Sequence, residues 1–155
     1  MEILIRDVTV ADADVLHSWR NEAQVQRISR QQRPISNREH VAWLSDRLSL
    51  LPSQPFWMFE NEMVNIGIVR FDFDLVLKHF EISITINPLL RGRGFGESIL
   101  NLAIENCLIK HPGANFYAEA HQDNHASRQL FLNCGFEEIK PNGKFLVFKR
   151  ITNSN

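Results

Sequence analysis

Cysteine is scarce in this chain, its charges almost cancel, and no long apolar run interrupts it. Each shortage excludes a class of protein. Cys107 and Cys134 are the only 2 thiols in 155 residues. That is too few for a disulfide-stapled secreted domain, so both are expected reduced, as in a cytoplasmic protein. The formal net charge is −1, so no global field draws the chain to nucleic acid or to an anionic membrane, and any anion site must be local. No apolar stretch approaches bilayer-spanning length, and the opening Met-Glu-Ile-Leu-Ile-Arg lacks the charge pattern of a signal peptide. Repeats, low-complexity tracts and linkers are missing too. One domain over residues 1–150, with a tail at 151–155, is expected from the length. His121 and His125 stand at helical ligand spacing, but Asp123 and Asn124 between them read as a helix start and no Glu follows His121. No metal is expected.

What the chain does have is concentrated in one segment, Glu81-Ile-Ser-Ile-Thr-Ile-Asn-Pro-Leu-Leu-Arg-Gly-Arg-Gly-Phe-Gly96. Ile82, Ile84 and Ile86 alternate with Ser83, Thr85 and Asn87, the period of a half-buried strand. Pro88 cannot continue a hydrogen-bonded ladder. Gly92, Gly94 and Gly96 let the backbone approach a ligand and aim N–H groups into one hollow, and the helix that follows adds its positive end. Arg91 and Arg93 add full charges. This construction suits a diphosphate. No Lys follows the glycines, as a Walker loop requires, and Glu97 stands where a dinucleotide fingerprint places its third glycine. What remains is Arg91-x-x-Gly94-x-Gly96.

Around that segment the elements can be read in order. A first strand is expected over Glu2 to Val8. Thr9 and Asp12 form a capping-box-like start for a helix running to about Asn21, with Val25 and Ile28 extending its apolar side. Arg27 to Pro34 reads as a basic loop, and Ser36-x-x-Glu39 as a second capping box. Strands are expected at Phe56–Phe59, Val64–Phe71 and Phe80–Ile86, with a turn over Asp72–Leu77. A helix follows from Phe95, its stripe Ile99, Leu100, Ala103, Ile104, Cys107 and Leu108. A strand over Asn115–His121, a helix capped by Asp123 or Asn124, and a closing hairpin around Pro141-Asn-Gly143 complete the chain. The predicted fold class is therefore mixed α/β in a single domain. Its order is β-α-α-β-β-β-α-β-α-β-β, with about 7 strands and one parallel pair made by a right-handed crossover.

The loop Arg91-x-x-Gly94-x-Gly96 resembles the acetyl-CoA pyrophosphate loop of the GCN5-related N-acetyltransferases (GNAT). The element order resembles their fold over nearly the whole chain. Asn124-His-Ala-Ser127, then Leu130-Phe131, then Gly135-Phe136 is similar to the family's second acetyl-CoA segment. The resemblance implies acetyl-CoA as cosubstrate without a metal, and direct attack of a primary amine on the thioester. It implies that the pyrophosphate is held by Arg91, Gly92, Arg93, Gly94, Phe95 and Gly96. The pantetheine arm would lie along Ile84, Thr85 and Ile86, in an opening where that strand splays from Phe116–His121. Asn124 and Ser127 would touch the cofactor. The family's usual thiolate acid is a Tyr where this chain has Phe131, and a phenyl ring has no proton to give. Tyr117, Cys134, Ser127 or a water are the alternatives.

The amine must lose a proton before it attacks. Glu119, His121 and Glu81 are the candidate bases, all on the two strands that border the splay; Glu119 and His121 share parity with Tyr117. For the acceptor, Trp19-Arg20-Asn21 followed by His40-x-x-Trp43 resembles the sugar-nucleotide amine acetyltransferases of nonulosonic-acid pathways. That likeness implies a UDP-linked aminodideoxy sugar as substrate, with arginines on the diphosphate and a tryptophan on a ring. The alternatives are a protein N-terminal amine, or acyl-CoA binding without catalysis. A second copy of the chain as partner is left open.

Overall fold

The computed structural model describes residues 2–152, so residues 153–155 of the expected tail lie outside the described part. The elements are β1 (Leu4–Asp7), α1 (Ala13–Arg20), α2 (Ala23–Ile28), α3 (Asn37–Leu48), β2 (Phe56–Asn61), β3 (Val64–Asp74) and β4 (His79–Ile86). They continue with α4 (Phe95–Lys110), β5 (Phe116–His121), α5 (His125–Asn133), β6 (Glu137–Asn142) and β7 (Phe145–Arg150). The 7 strands form one mixed sheet in the order β1-β2-β3-β4-β5-β7-β6. Every pairing is antiparallel except β4 with β5. The predicted fold class holds.

Three details differ from the sequence reading. The chain between β1 and β2 forms three α-helices, not two. Asn21 leaves the helical conformation, Glu22 is extended at ψ 136, and the Glu22 carboxylate accepts the Val25 N–H, which starts α2 on a new axis. Val25 and Ile28 belong to that second helix. Next, β3 runs on to Asp74, whose carboxylate accepts the N–H groups of Val76 and Leu77 at 2.9 Å and closes a tighter turn. Finally, β6 continues through Pro141. It is the last strand of the sheet and its register slips between Ile139 and Asn142, which is where a residue without an N–H is tolerated. The first capping box is complete: Thr9 accepts from Ala11 and donates its own N–H to Asp12. The second is half-formed. Ser36 accepts the Glu39 N–H, but the Glu39 carboxylate pairs with Arg33.

Alternation along the strands puts a core on each face. One face carries Phe59, Phe71, Phe80, Ile82, Phe116, Ala118 and Phe148 beneath α4 and α5. The other carries Val8, Phe56 and Met58 beneath Leu16, Trp19 and Leu44 of α1 and α3. This second layer covers β1 to β3 and leaves the outer face of β4 and β5 for the site. Buried Arg47 fixes α3 to the sheet, donating to Asp72 at 2.7 Å and to the carbonyls of Gln54, Pro55 and Phe71.

Gly67 sets the β3–β4 spacing. A Cβ there would stand 2.6 Å from the Thr85 carbonyl oxygen and 2.9 Å from Ile99 Cδ1. Gly67→Ala is expected to lower stability by about 1–3 kcal/mol, the usual cost of overpacking, and to move Thr85 and Ile86. Urea unfolding checks it; an unchanged midpoint would show that β4 yields freely.

Candidate active site

β4 and β5 pair only at Phe80–Phe116 and Glu81–Tyr117, then part. Each remains paired with its outer neighbour, β4 with β3 as far as Ile86 and β5 with β7 as far as His121. The gap therefore lies between two intact half-sheets. Backbone groups of β4 beyond Glu81 that face it have no strand partner, and such groups seek an acceptor or donor elsewhere. Ile84, Thr85 and Ile86 lie beyond the last paired rung and border the gap.

The glycine loop sits at the mouth of this splay. Gly92 and Gly94 have φ of 76° and 81°, a left-handed conformation that favours glycine, and a Cβ on either would meet nothing within 4 Å. Gly94 is the N-cap of α4. Among the described residues, the N–H groups of Arg91, Gly92, Arg93 and Gly94 have no protein acceptor. Gly96 has no need of glycine's backbone freedom; it keeps the first turn of α4 bare beside Leu130, 3.4 Å from where its Cβ would be. Phe95 packs on the core, and Arg93 is exposed. Free N–H groups, a helix start and neighbouring arginines fit a diphosphate. Arg91 itself points across the splay. It donates to Glu22 at 2.9 Å and to Gln24 at 3.1 Å, and the bond to Glu22 holds that carboxyl below its ordinary range.

On the open face of β4 and β5 the structure brings together Glu81, Glu119 and Tyr117, and adds Arg30. The Tyr117 hydroxyl donates to Glu119 Oε1 at 2.6 Å. Burial, then this bond, pushes the phenol up. Arg30 Nη2 donates to Glu119 Oε2 at 2.6 Å and to Glu81 Oε1 at 2.8 Å. Buried His79 stacks on Tyr117 at 4.9 Å. His121 is also buried, and its Nδ1 accepts the Asp123 N–H at 3.1 Å. A neutral His121 thus carries its proton on Nε2. It lines an open cleft of about 630 Å³ with Gln26, Arg27, Gln32 and Lys144. A second cleft of about 420 Å³ lies beside it, between Gln24, Ile28 and Asn124.

Other predicted residues take different places. Trp19 is a core side chain, 6% exposed, and lines no ligand surface. Asn21 bonds both ways to the Ile35 backbone and meets His17 at 2.9 Å, so it shapes the segment after α2. Arg20 donates to the Gln31 carbonyl through Nη2, while its buried Nη1 has no partner. His40 is 4% exposed with Nε2 unpartnered. Burial, then the charges of His17 and Arg20, lowers its pKa. Trp43 is 38% exposed. Arg70 lies over its ring at 5.0 Å and reaches Ser83 of β4 at 3.3 Å. The Asn124 side chain accepts the Ser127 N–H and caps α5. Phe131 is in the core against Phe136 and Phe148. Burial pushes the enclosed Cys134 thiol up to about 11. Sequence reading passed over Arg30 and Arg70; a basic run at Arg27–Arg33 was the only signal for the first. Among the described residues, no group of three or more His, Cys, Asp or Glu could hold a metal ion, and no helix is long and apolar enough to cross a membrane.

A splayed parallel pair with a glycine loop at its mouth is the arrangement expected of an acyl-CoA-dependent transferase. Residues 2–137 match the Acetyltransferase (GNAT) domain family, and the chain belongs to that family. It is an acetyl-CoA-dependent N-acetyltransferase acting on an amine. Solved structures agree in fold. A domain from Methanocaldococcus jannaschii is 23% identical with a TM-score of 0.84, over 97% of this chain and 99% of that one. A Salmonella typhimurium protein solved with acetyl-CoA as its cofactor is 20% identical with a TM-score of 0.81, over 100% and 96%. A ribosomal-protein-alanine N-acetyltransferase from Brucella melitensis is 22% identical with a TM-score of 0.77, over 96% and 99%. No curated protein matches the chain significantly.

Proposed function

We propose that the acceptor is a nucleotide-linked amino sugar, its amine directed to Glu119 and Glu81 and its nucleotide to α3. One observation carries this reading. The open face of β4 runs from Glu81 past Ser83 to Arg70 and the half-exposed ring of Trp43, with the unpartnered atoms Arg20 Nη1 and His40 Nε2 nearby on α1 and α3. A flat ring beside guanidinium groups suits a base or sugar joined to a diphosphate. Acetyl-CoA, when bound, supplies the thioester carbonyl that the amine attacks. Gly92, Gly94 and the start of α4 hold its diphosphate; unpaired β4 groups along Ile84–Ile86 hold its arm. Glu119, with Oε1 fixed by Tyr117, offers Oε2 to the amine's proton. His121 lines the cleft wall, and its Nδ1 lone pair is already engaged by the Asp123 N–H.

Trp43→Ala is expected to raise KM for a UDP-linked 4-amino-4,6-dideoxy sugar about tenfold, the loss of one stacking contact, and to leave the Kd for CoA unchanged. Thiol release and calorimetric titration measure the two. The second reading, a protein N-terminal amine, draws on the similarity to the Brucella melitensis ribosomal-protein-alanine N-acetyltransferase. An amine panel decides: turnover of an N-terminal peptide with none of the sugar would favour it.

A further inference from the structure

Arg30 meets its carboxylates in an unusual way for an arginine. Guanidinium and carboxylate usually pair as two parallel bonds, fork to fork. Here a single nitrogen, Nη2, lies between two carboxylates, 2.6 Å from Glu119 Oε2 and 2.8 Å from Glu81 Oε1. Among the described residues Nε and Nη1 of Arg30 donate to nothing, and the side chain is 60% exposed. One nitrogen between two carboxylate oxygens is the geometry a primary ammonium makes. The position is also the right one, since Glu81 marks the last paired rung before the splay and Glu119 stands beyond it on the same face as Tyr117. Arg30 comes from the irregular segment between α2 and α3, which is tied down at other points by Arg20 to the Gln31 carbonyl and Asn21 to Ile35.

The geometry points to Arg30 as a built-in occupant of the amine subsite: its Nη2 stands where the acceptor's ammonium nitrogen binds, and the acceptor enters by displacing it. The inference rests on acetyl transfer taking place on this face of the splay and goes beyond it, because it makes Arg30 a specificity-determining residue. A guest must out-compete a tethered guanidinium, so small lone amines are refused and an acceptor needs further contacts, such as those near Trp43, to gain entry. With Arg30 gone, two carboxylates face each other without a cation between them, and the subsite takes any compact ammonium.

The test uses the full chain and n-propylammonium chloride as probe, in calorimetric titrations with CoA present. Arg30→Met keeps the stem and loses the charge. It is expected to bind the probe at least tenfold more tightly than the native protein. The gain should vanish in the Arg30→Met, Glu119→Gln double variant, and methylguanidinium should compete for it. Arg30→Lys, which restores one cationic nitrogen, should behave like the native protein and guards against a folding artefact. With the UDP-linked amino sugar, Arg30→Met should lower the acceptor KM and leave the acetyl-CoA KM alone. Tighter probe binding without turnover of the sugar would sustain the role of Arg30 and remove the sugar-nucleotide reading. Probe binding no tighter than native, or a raised acceptor KM, would overturn the role of Arg30.

Discussion

Exchanging Gly94 for aspartate is expected to weaken acetyl-CoA binding by about 100- to 1,000-fold while the fold survives. The two effects separate because Gly94 is left-handed, at φ 81°, and exposed, with nothing within 4 Å of the place a Cβ would take. A side chain therefore meets no steric obstacle, only backbone strain of about 1–2 kcal/mol. That strain is common to the free and the bound loop and largely cancels from the affinity. The new carboxylate does not cancel. It stands at the N-cap of α4, among the free N–H groups of Arg91 to Gly94, and faces a diphosphate there. Like charges about 4 Å apart repel by about 4 kcal/mol at a surface-like effective dielectric. At about 1.4 kcal/mol per decade this weakens binding by roughly 100- to 1,000-fold. Gly94→Ala is the internal control, with strain and no charge: about 1 kcal/mol less stable, yet near-native in affinity. Calorimetric titration with CoA and thermal unfolding of both variants measure the pair. Native-like titration of the aspartate variant would remove the phosphate-loop assignment.

The parts that could be read from sequence are those fixed by local rules. Ile82, Ile84 and Ile86 alternate because only one face of β4 is packed by α4, and the chain says so residue by residue. The loop from Arg91 to Gly96 was legible because left-handed turns and helix starts have few residue solutions. Glu119 and Tyr117 share a strand face by parity alone, as does Glu81 on β4. What stayed hidden depends on tertiary position. Whether Trp19 lies in the core or on a ligand surface cannot be told from an apolar stripe; the packing of α1 over Phe56 and Met58 decides it. The break between α1 and α2 hangs on one side chain, Glu22, turning back to the Val25 N–H. Arg30 reaches its carboxylates from an irregular segment whose path is set by Asn21 and Arg20, contacts that no periodicity encodes. Gly67 is silent in a period-two reading, since what it leaves room for is the Thr85 carbonyl on the neighbouring strand.

Glu119→Gln is expected to lower kcat by about 100- to 1,000-fold, within the usual range for losing a general base, with the Kd for acetyl-CoA unaltered. Three observations put Glu119 ahead of its rivals. Its side chain is 11% exposed, against 32% for Glu81. Tyr117 holds Oε1 at 2.6 Å and so aims Oε2, the atom that now meets Arg30, at the amine. His121 has its Nδ1 lone pair engaged with the Asp123 N–H. The chemistry also fixes when the protons move. An ammonium nitrogen has no lone pair, so the acceptor gives up one proton to solvent before it can attack the thioester carbon. The neutral amine's remaining surplus proton becomes acidic only as the nitrogen bonds to carbon, so the carboxylate has to be in contact during attack to take it. Glutamine matches the shape and still accepts the Tyr117 hydroxyl, but takes up no proton. The loss should therefore appear in kcat more than in the acceptor KM, and single-turnover thiol release should be slowed as much as steady-state turnover. Tyr117→Phe, which frees Oε1 but leaves the carboxylate, should cost far less. If Glu119→Gln turns over within about threefold of the native rate while Glu81→Gln does not, the proton goes to β4, and the Tyr117 bond serves to position Arg30 instead.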